Sequence, residues 1–432
     1  MEDLARARRW LLAATLVCAS CIGSLPPIDG PVDGLAVDKS PDASTTTVPD
    51  GTLPDAGPSE PPPDPCAPDG GVGDPSACFR LEACADPVLS RFVLDREEIE
   101  ASTPLGIVDP QAGTVPTGWM RVWALPGRDN GVDGLIRKLP IYAPADALVT
   151  VDEPGTPDVA DRVTGIALHT LTIRPCREVT IILHDVEYVH MGSYDPQRAA
   201  FVAAGAEIGE TGDDGFIDVE LQDARVENAF ANPDRSYARN QRHDACPIQP
   251  AYYPAAVRTL LPDISDPDGG TPWNGECGSA SSDVPGTAAG AWVRSDATDE
   301  GPRIALVHHP YDAHRVGFSI ARRLPPSLSS PSLPNLAGGL YWFTPSTDGA
   351  HPGVNRSFDE LRPGAAGASG PTSCFEQVLA EATLDEPHPA PMSVLAQMLD
   401  EGTLLVEARP GVAACGDAAS WTFSARAARF SR

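Results

Sequence analysis

Short apolar runs separated by proline, glycine and aspartate dominate the chain from about residue 104 onward. Between residues 104 and 237 these runs are rich in β-branched and aromatic residues, which is typical of strands. The runs are WMRVWAL, LPIYAP, ALVTV, GIALHTLTIRP, EVTIILHDVEYV and GFIDVELQD. The pattern predicts an antiparallel β barrel or sandwich in this region.

A second set of strand-like runs begins at GAWVRS and continues through RIALVHH, RVGFSIARR, GLYWFTP, GTLLVEARP and SWTFSARAARF. Two other segments have helical patterns. One is YYPAAVRTLLPDI, between the two strand-rich regions. The other is SVLAQMLDEG, in which Val394, Leu395, Met398 and Leu399 would share one side and Gly402 would end the helix. The sequence therefore predicts a mainly β protein with a second β-rich domain after the first.

The N-terminal part of the chain has the features of an export signal followed by a tether. Arg6, Arg8 and Arg9 precede the apolar run WLLAATLVCASCIG, as in a signal peptide over residues 1–21. The end of this run, CASC, resembles a bacterial lipobox, which makes Cys21 the candidate lipidation site; ordinary signal-peptide cleavage is the alternative. Residues 22–77 are rich in Pro, Asp, Gly, Ser and Thr and predict a disordered acidic linker.

These patterns divide the chain into five segments. They are a signal peptide (1–21), a disordered linker (22–77), a β barrel (78–237), a cysteine-containing connector (238–287) and a C-terminal β-rich domain (288–432). The expected location is the outer membrane or cell surface, held by a lipid anchor only, with secretion as the alternative.

Charge and cysteine content narrow the classes of partner and compartment. The formal net charge of −29 argues against nucleic acid, which is bound through a basic surface. Eight cysteines remain after residue 21, and an even number in an exported chain predicts disulfides. Proximity along the chain favours the pairs Cys246–Cys277 and Cys374–Cys415.

The region from Leu139 to Pro233 resembles the lysostaphin-type zinc endopeptidase barrel, also called the duplicated hybrid motif. The resemblance rests on LPIYAPADALVTV, EVTIILHDVEYV, VAAGAEIGETGDDGFIDVELQD and ANPDRSY, which follow the family's order of elements. It implies an antiparallel β barrel. It also implies that the strand containing Asp218 stands where those peptidases hold a catalytic zinc ion.

The resemblance does not extend to the zinc ligands. Setting Glu220 against the family's glutamate places Phe216 and Asp218 at the two histidine positions, and no histidine precedes His169. Catalytic zinc needs three protein ligands and an open position for water. His184 and Asp218 remain as weak candidates for catalysis or metal binding. We therefore expect no catalytic residue, metal or cofactor, unless zinc is held by these two residues and one outside the family's pattern.

Other polar clusters favour turns over sites. LVHHPYDAHRV contains His308, His309, Asp312 and His314, but adjacent strand residues point to opposite faces, so a polar hairpin turn is the better interpretation. GETGDDGFID lacks the closing carboxylate of a calcium loop, because Leu221 stands at that position. Serine-hydrolase, phosphate-loop and dinucleotide motifs are absent from the sequence.

The sequence thus favours a non-catalytic envelope lipoprotein. The expected partners are peptidoglycan or another polysaccharide, or an envelope protein such as a hydrolase that it regulates. Two alternatives stay open: an active zinc-dependent cell-wall endopeptidase with a rebuilt site, and a structural or adhesive surface protein whose contacts are made by the C-terminal domain.

Overall fold

The structure is a computed structural model, and it describes residues 81–108, 114–124, 138–151, 168–188, 199–212, 215–262, 277–296, 303–312, 314–321, 333–334, 336–346, 353–380 and 391–432. These residues all belong to one compact unit, Pro63–Arg432. The predicted signal peptide, lipidation at Cys21, the linker over 22–77, and Cys66 and Cys78 lie outside the described residues. The described chain is mainly β, as the sequence predicts.

The first body is an antiparallel sheet of ten strands. They are β1 (Ile99–Ser102), β2 (Trp119–Ala124), β3 (Pro140–Tyr142), β4 (Ala147–Val151), β5 (His169–Arg174), β6 (Val179–Tyr188), β7 (Ala200–Val202), β8 (Glu207–Thr211), β9 (Phe216–Asp223) and β10 (Asp244–Ala245). Their order is β1-β2-β9-β6-β5-β4-β7; β8 also pairs with β3 and β6, and β10 with β9. Each strand-like run predicted before residue 237 contains one of these strands.

Alternation along β5, β6 and β9 sends one set of side chains into a core. Leu171, Leu183 and Val219 are almost completely buried there, as expected for a strand with one face on the core. Tyr252 and Tyr253, from the chain after β10, close the same core. The opposite face of these strands carries polar side chains.

The segment YYPAAVRTLLPDI does not form the predicted α-helix. Its described residues contain two short 3-10 turns, Pro250–Tyr252 and Arg258–Leu260. Pro254 lacks the N–H that a continuous helix would need, and Tyr253, the residue before it, has an extended backbone that ends the first turn. The nearby α-helix is α1 (Ser236–Gln241).

The second body is a closed barrel of eight antiparallel strands. They are β11 (Gly290–Arg294), β12 (Ile304–His308), β13 (Val316–Ile320), β14 (Gly339–Phe343), β15 (Ser373–Ala380), β16 (Met392–Asp400), β17 (Thr403–Arg409) and β18 (Ala428–Ser431). Each strand pairs with the next one along the chain, and β11 pairs with β18 to close the ring. The closed barrel is therefore the C-terminal body, whereas residues 78–237 contribute to the ten-stranded sheet.

Aromatic side chains fill the barrel. Phe318, Phe343, Phe358 and Phe375 pack with ring centroids 4.8–5.9 Å apart. Phe358 comes from a 3-10 turn, Phe358–Glu360, and is completely buried. Eight strands leave an interior that side chains can fill, and here large apolar groups fill it.

The prediction of a helix over SVLAQMLDEG is wrong, because this segment is strand β16. Val394, Ala396 and Met398 face the barrel interior. Leu395 points outward but is also buried, against the Cys374–Cys415 disulfide. A strand covered on both faces has no polar alternation, so its apolar residues can be mistaken for a helical stripe.

Disulfides join Cys84 to Cys176, Cys246 to Cys277 and Cys374 to Cys415. The last two are the pairs that the sequence predicts. The first ties the segment before β1 to the turn between β5 and β6, and its sequence separation of 92 places it beyond a proximity argument.

The two bodies share a small apolar interface. Ala291, Ala305, Val307 and Trp342, on the outer face of the barrel, pack with Val108 and with Tyr237 and Ala238 of α1. Asp283 adds polar links: its carboxylate accepts the backbone N–H of Ala231 at 3.0 Å and that of Ala291 at 2.8 Å.

Among the described residues, none of the helices has the length and apolar character that crossing a bilayer requires.

Candidate functional site

The polar face of the first sheet contains both residues that the sequence singled out. Arg121 on β2 and His184 on β6 each pair directly with Asp218 on β9, so the three side chains lie side by side across neighbouring strands. Since side chains alternate along a strand, Val122 and Ile217 point to the other face and enter the core. We call this surface the β2-β9-β6 face; it consists of Trp119, Arg121, Trp123, Phe216, Asp218, Glu220 and His184.

Asp218 is held by an arginine. Nε of Arg121 donates to Oδ1 at 2.7 Å and Nη2 donates to Oδ2 at 2.8 Å, a two-point ion pair. The Asp218 side chain is 6% exposed and that of Arg121 is 26% exposed. The guanidinium also lies over the ring of Phe216, 4.0 Å from its centroid. Such planar, doubly hydrogen-bonded pairs are the strongest kind of charged contact in proteins.

His184 faces a different carboxylate. Its Nε2 lies 3.5 Å from Oε2 of Glu220, and its Nδ1 lies 3.5 Å from the hydroxyl of Thr170. Burial lowers the pKa of His184, but the hydrogen bond and charge of Glu220, together with Asp218 and Asp185, outweigh burial and raise this pKa above its ordinary value. The Trp119 ring lies 5.9 Å from the imidazole.

The donor set does not fit a catalytic zinc ion. Both oxygens of Asp218 accept hydrogen bonds from Arg121, and Phe216 offers a ring where the resemblance implies a histidine. Zinc would need three converging nitrogen, oxygen or sulfur ligands. In the described part of the chain, one group of three such residues lies close together, Cys84, Cys176 and Glu178, and its two cysteines form a disulfide.

Aromatic rings flank the ion pair. Trp119 and Trp123 lie on β2 at either side of Arg121, and Trp123 packs edge-on against Phe216 at 5.1 Å. All three rings are half-buried, so each keeps part of its surface open. The face therefore combines fixed charges with flat apolar surfaces along one direction.

A buried acid that the sequence did not indicate lies at the edge of this face. Asp244 on β10 pairs with Gln222 on β9 and is 2% exposed. Burial, together with the charge of Glu220, raises the pKa of Asp244 to about 8. The surrounding sequence RHDAC carries no recognisable motif, and only the pairing of β10 with β9 brings this carboxyl to the site.

The remaining predicted cluster forms a turn. His308 ends β12 and pairs with Asp359 at 3.1 Å, whereas His309 packs against Trp342 at 4.7 Å. These two histidines therefore point to different surroundings, as the sequence predicts. A separate cleft of about 440 Å³ lies in the barrel body and is lined by Arg356, Glu360, Arg362, Thr372 and Ser373, among others.

Comparison with known proteins adds no relative. No protein-family model matches the chain, and no curated protein matches it.

Proposed function

We propose that the protein is a non-catalytic binder of envelope polysaccharide or glycopeptide, and that the β2-β9-β6 face is its binding surface. The observation that carries this proposal is the two-point ion pair between Arg121 and Asp218. A guanidinium holds the carboxylate that the peptidase-like pattern would give to zinc. The face thus keeps a fixed, planar set of hydrogen-bonding groups without the metal chemistry.

The aromatic rings support a carbohydrate ligand. A sugar ring has an apolar C–H face that packs on a flat ring, and hydroxyls that bond to carboxylate, guanidinium or imidazole groups. Trp119 and Trp123 supply the rings, and Arg121, Glu220 and His184 supply the polar groups. From Trp119 to Trp123 a strand advances about 13 Å, which suits an extended ligand.

Export to the cell envelope fits the disulfides. Three pairs lie in the described residues, and structural disulfides persist in oxidising compartments. Such a location would bring the protein to peptidoglycan and surface polysaccharide.

The test is sedimentation with purified sacculi and calorimetry with soluble glycan fragments. Trp119→Ala and Trp123→Ala should each weaken binding about tenfold or more, because each removes a half-exposed ring from the face. Phe201→Ala is the matched control, since Phe201 is 62% exposed on β7, at the far edge of the same sheet, and its loss should leave binding unchanged. Equal binding by wild type and both tryptophan variants would refute the proposal.

Metal analysis of the same preparations separates this function from a zinc hydrolase. We expect no stoichiometric zinc in the purified full-length protein. One zinc per chain, lost in Asp218→Ala, would show instead that the ion pair opens to form a metal site.

A further inference from the structure

Three acceptor oxygens next to the β2-β9-β6 face are buried without hydrogen-bond partners. They are Oδ1 and Oδ2 of Asp244 and Oε1 of Gln241. Buried polar atoms normally have partners, and leaving one unsatisfied destabilises the folded state. These three oxygens belong to two side chains that lie three residues apart, and each of them could accept a cation.

The two side chains reach the same short segment. Gln241 Nε2 donates to the carbonyl of Pro116 at 2.6 Å. A Cβ added to Gly118 would lie 2.0 Å from Oδ2 of Asp244, so the carboxylate packs directly against that glycine. Asn228 fixes the backbones of both residues, since its Nδ2 donates at 2.8 Å to the carbonyls of Gln241 and Asp244. The orphan oxygens therefore belong to two side chains that contact residues 116–118 and whose backbones share Asn228 as a hydrogen-bond donor.

A second carboxylate adjoins them. Glu220 pairs with Trp119, the residue after Gly118. The negative charge of Glu220 contributes to raising the pKa of Asp244. One Glu220 oxygen accepts from Gln222 Nε2 at 2.5 Å, and the other faces His184 at 3.5 Å. A proton on Asp244 would still leave its second oxygen and the Gln241 oxygen unsatisfied. A divalent cation, by displacing that proton, would satisfy all three oxygens together.

We propose that Asp244, Gln241 and Glu220 bind a calcium-sized divalent cation, with water completing its shell. The ligands are all hard oxygen donors, two of them carboxylates, which is the set that Ca²⁺ prefers. Few protein ligands give weak sites, so we expect a Kd on the order of 0.1–1 mM. This site shares Glu220 with the β2-β9-β6 face, but its cation binding does not depend on the proposed glycan binding.

Terbium luminescence tests the site in the full-length protein. Trp119 stands next to Gly118 in the chain and pairs with Glu220, so excitation of tryptophan should sensitise a Tb³⁺ ion bound there. We expect a saturable signal that CaCl₂ displaces, and calorimetry with CaCl₂ should give one site per chain. Asp244→Asn should weaken the affinity at least tenfold, because an amide cannot become the carboxylate that would bind the cation, although it keeps the side-chain shape.

Glu227→Gln is the matched control. It removes one carboxylate from the same connection, but Glu227 is 66% exposed and pairs with Arg242. This variant should bind Tb³⁺ and Ca²⁺ as wild type does. An absence of saturable binding, or an equal affinity in Asp244→Asn with its fold confirmed by circular dichroism, would overturn the proposal. Both measurements are made without glycan, so their outcome is independent of the outcome of the sedimentation test.

Discussion

Arg121 changes the chemistry of the polar face more than any other side chain. Its guanidinium neutralises Asp218, which is nearly buried, and stacks on Phe216. A buried carboxylate without a cationic partner is strongly unfavourable, so the two residues depend on each other.

Replacing Arg121 should expose this dependence. Arg121→Met keeps an apolar stem against Phe216 but leaves Asp218 unpaired, and should reduce the free energy of unfolding by ~3 kcal/mol. Combining it with Asp218→Asn should restore part of the loss, giving a coupling of roughly 2 kcal/mol in urea titrations. The exposed pair Arg242–Glu227 is the control, and its coupling should be too small to detect in the same titrations. Additive effects at Arg121 and Asp218 would contradict this account.

The buried carboxyl of Asp244 should make stability depend on pH. With its pKa raised from 3.8 to about 8, the folded state holds a proton that the unfolded state has released between those pH values. The contribution of Asp244 to stability therefore falls as pH rises through this window.

Asp244→Asn should remove this dependence in metal-free buffer. At pH 8.5 the variant should exceed wild type in free energy of unfolding by on the order of 3–5 kcal/mol, and at pH 4 the two should differ little. Urea titrations at several pH values with EDTA present would measure it. A constant difference from pH 4 to 8.5 would show that Asp244 does not titrate as described.

Single residues were only partly predictable from the sequence. The alternation in GFIDVELQD correctly places Phe216, Asp218 and Glu220 on one face, and His184 lies opposite Asp218. Arg121 and Asp244 were missed because their roles come from strand pairing. The sequence does contain one indication of the role of Arg121, because this residue alternates with two tryptophans in WMRVWAL and would share their face of the strand.

The sequence predicted those strands that have one solvent-exposed face or a high content of β-branched residues. The sequence predicted a helix at β16 because both faces of this strand are covered. One face lies on the barrel core, and the other lies on the cluster around the Cys374–Cys415 disulfide. β15 was missed, and it contains an irregular register between Phe375 and Val378. Closure of a barrel depends on pairing between β11 and β18, which are far apart in the chain, and local patterns do not report it.

Gly317 on β13 packs closely against Trp342 on the outer face of the barrel, and substitution of this glycine tests that packing. A Cβ on Gly317 would lie 2.3 Å from the Trp342 ring and 2.5 Å from the backbone oxygen of Tyr341. Gly317→Ala should therefore cost about 2 kcal/mol in free energy of unfolding, because the ring and strand must shift. Gly402→Ala is the control, since its nearest neighbour would be Asp400 at 3.7 Å. An equal effect in both variants would mean that Trp342 moves aside freely.

Within the part of the chain that the structure describes, the sheet body and the barrel meet at an apolar cluster and at several hydrogen bonds. Apolar residues on the outer barrel wall contact α1, and Asp283 accepts one backbone N–H from each side. The glycan-binding surface that we propose belongs entirely to the sheet, and no barrel residue is part of it.

Within the described residues, none of the three disulfides joins the sheet to the barrel. A pulling force on the two ends of the chain would therefore meet no disulfide between the described parts of the two bodies, only non-covalent contacts. The segment between Cys84 and Cys176, which have a sequence separation of 92, would not extend under force because the disulfide closes it into a loop. Adding a thiol reductant would release roughly 300 Å more of extended chain from that loop alone.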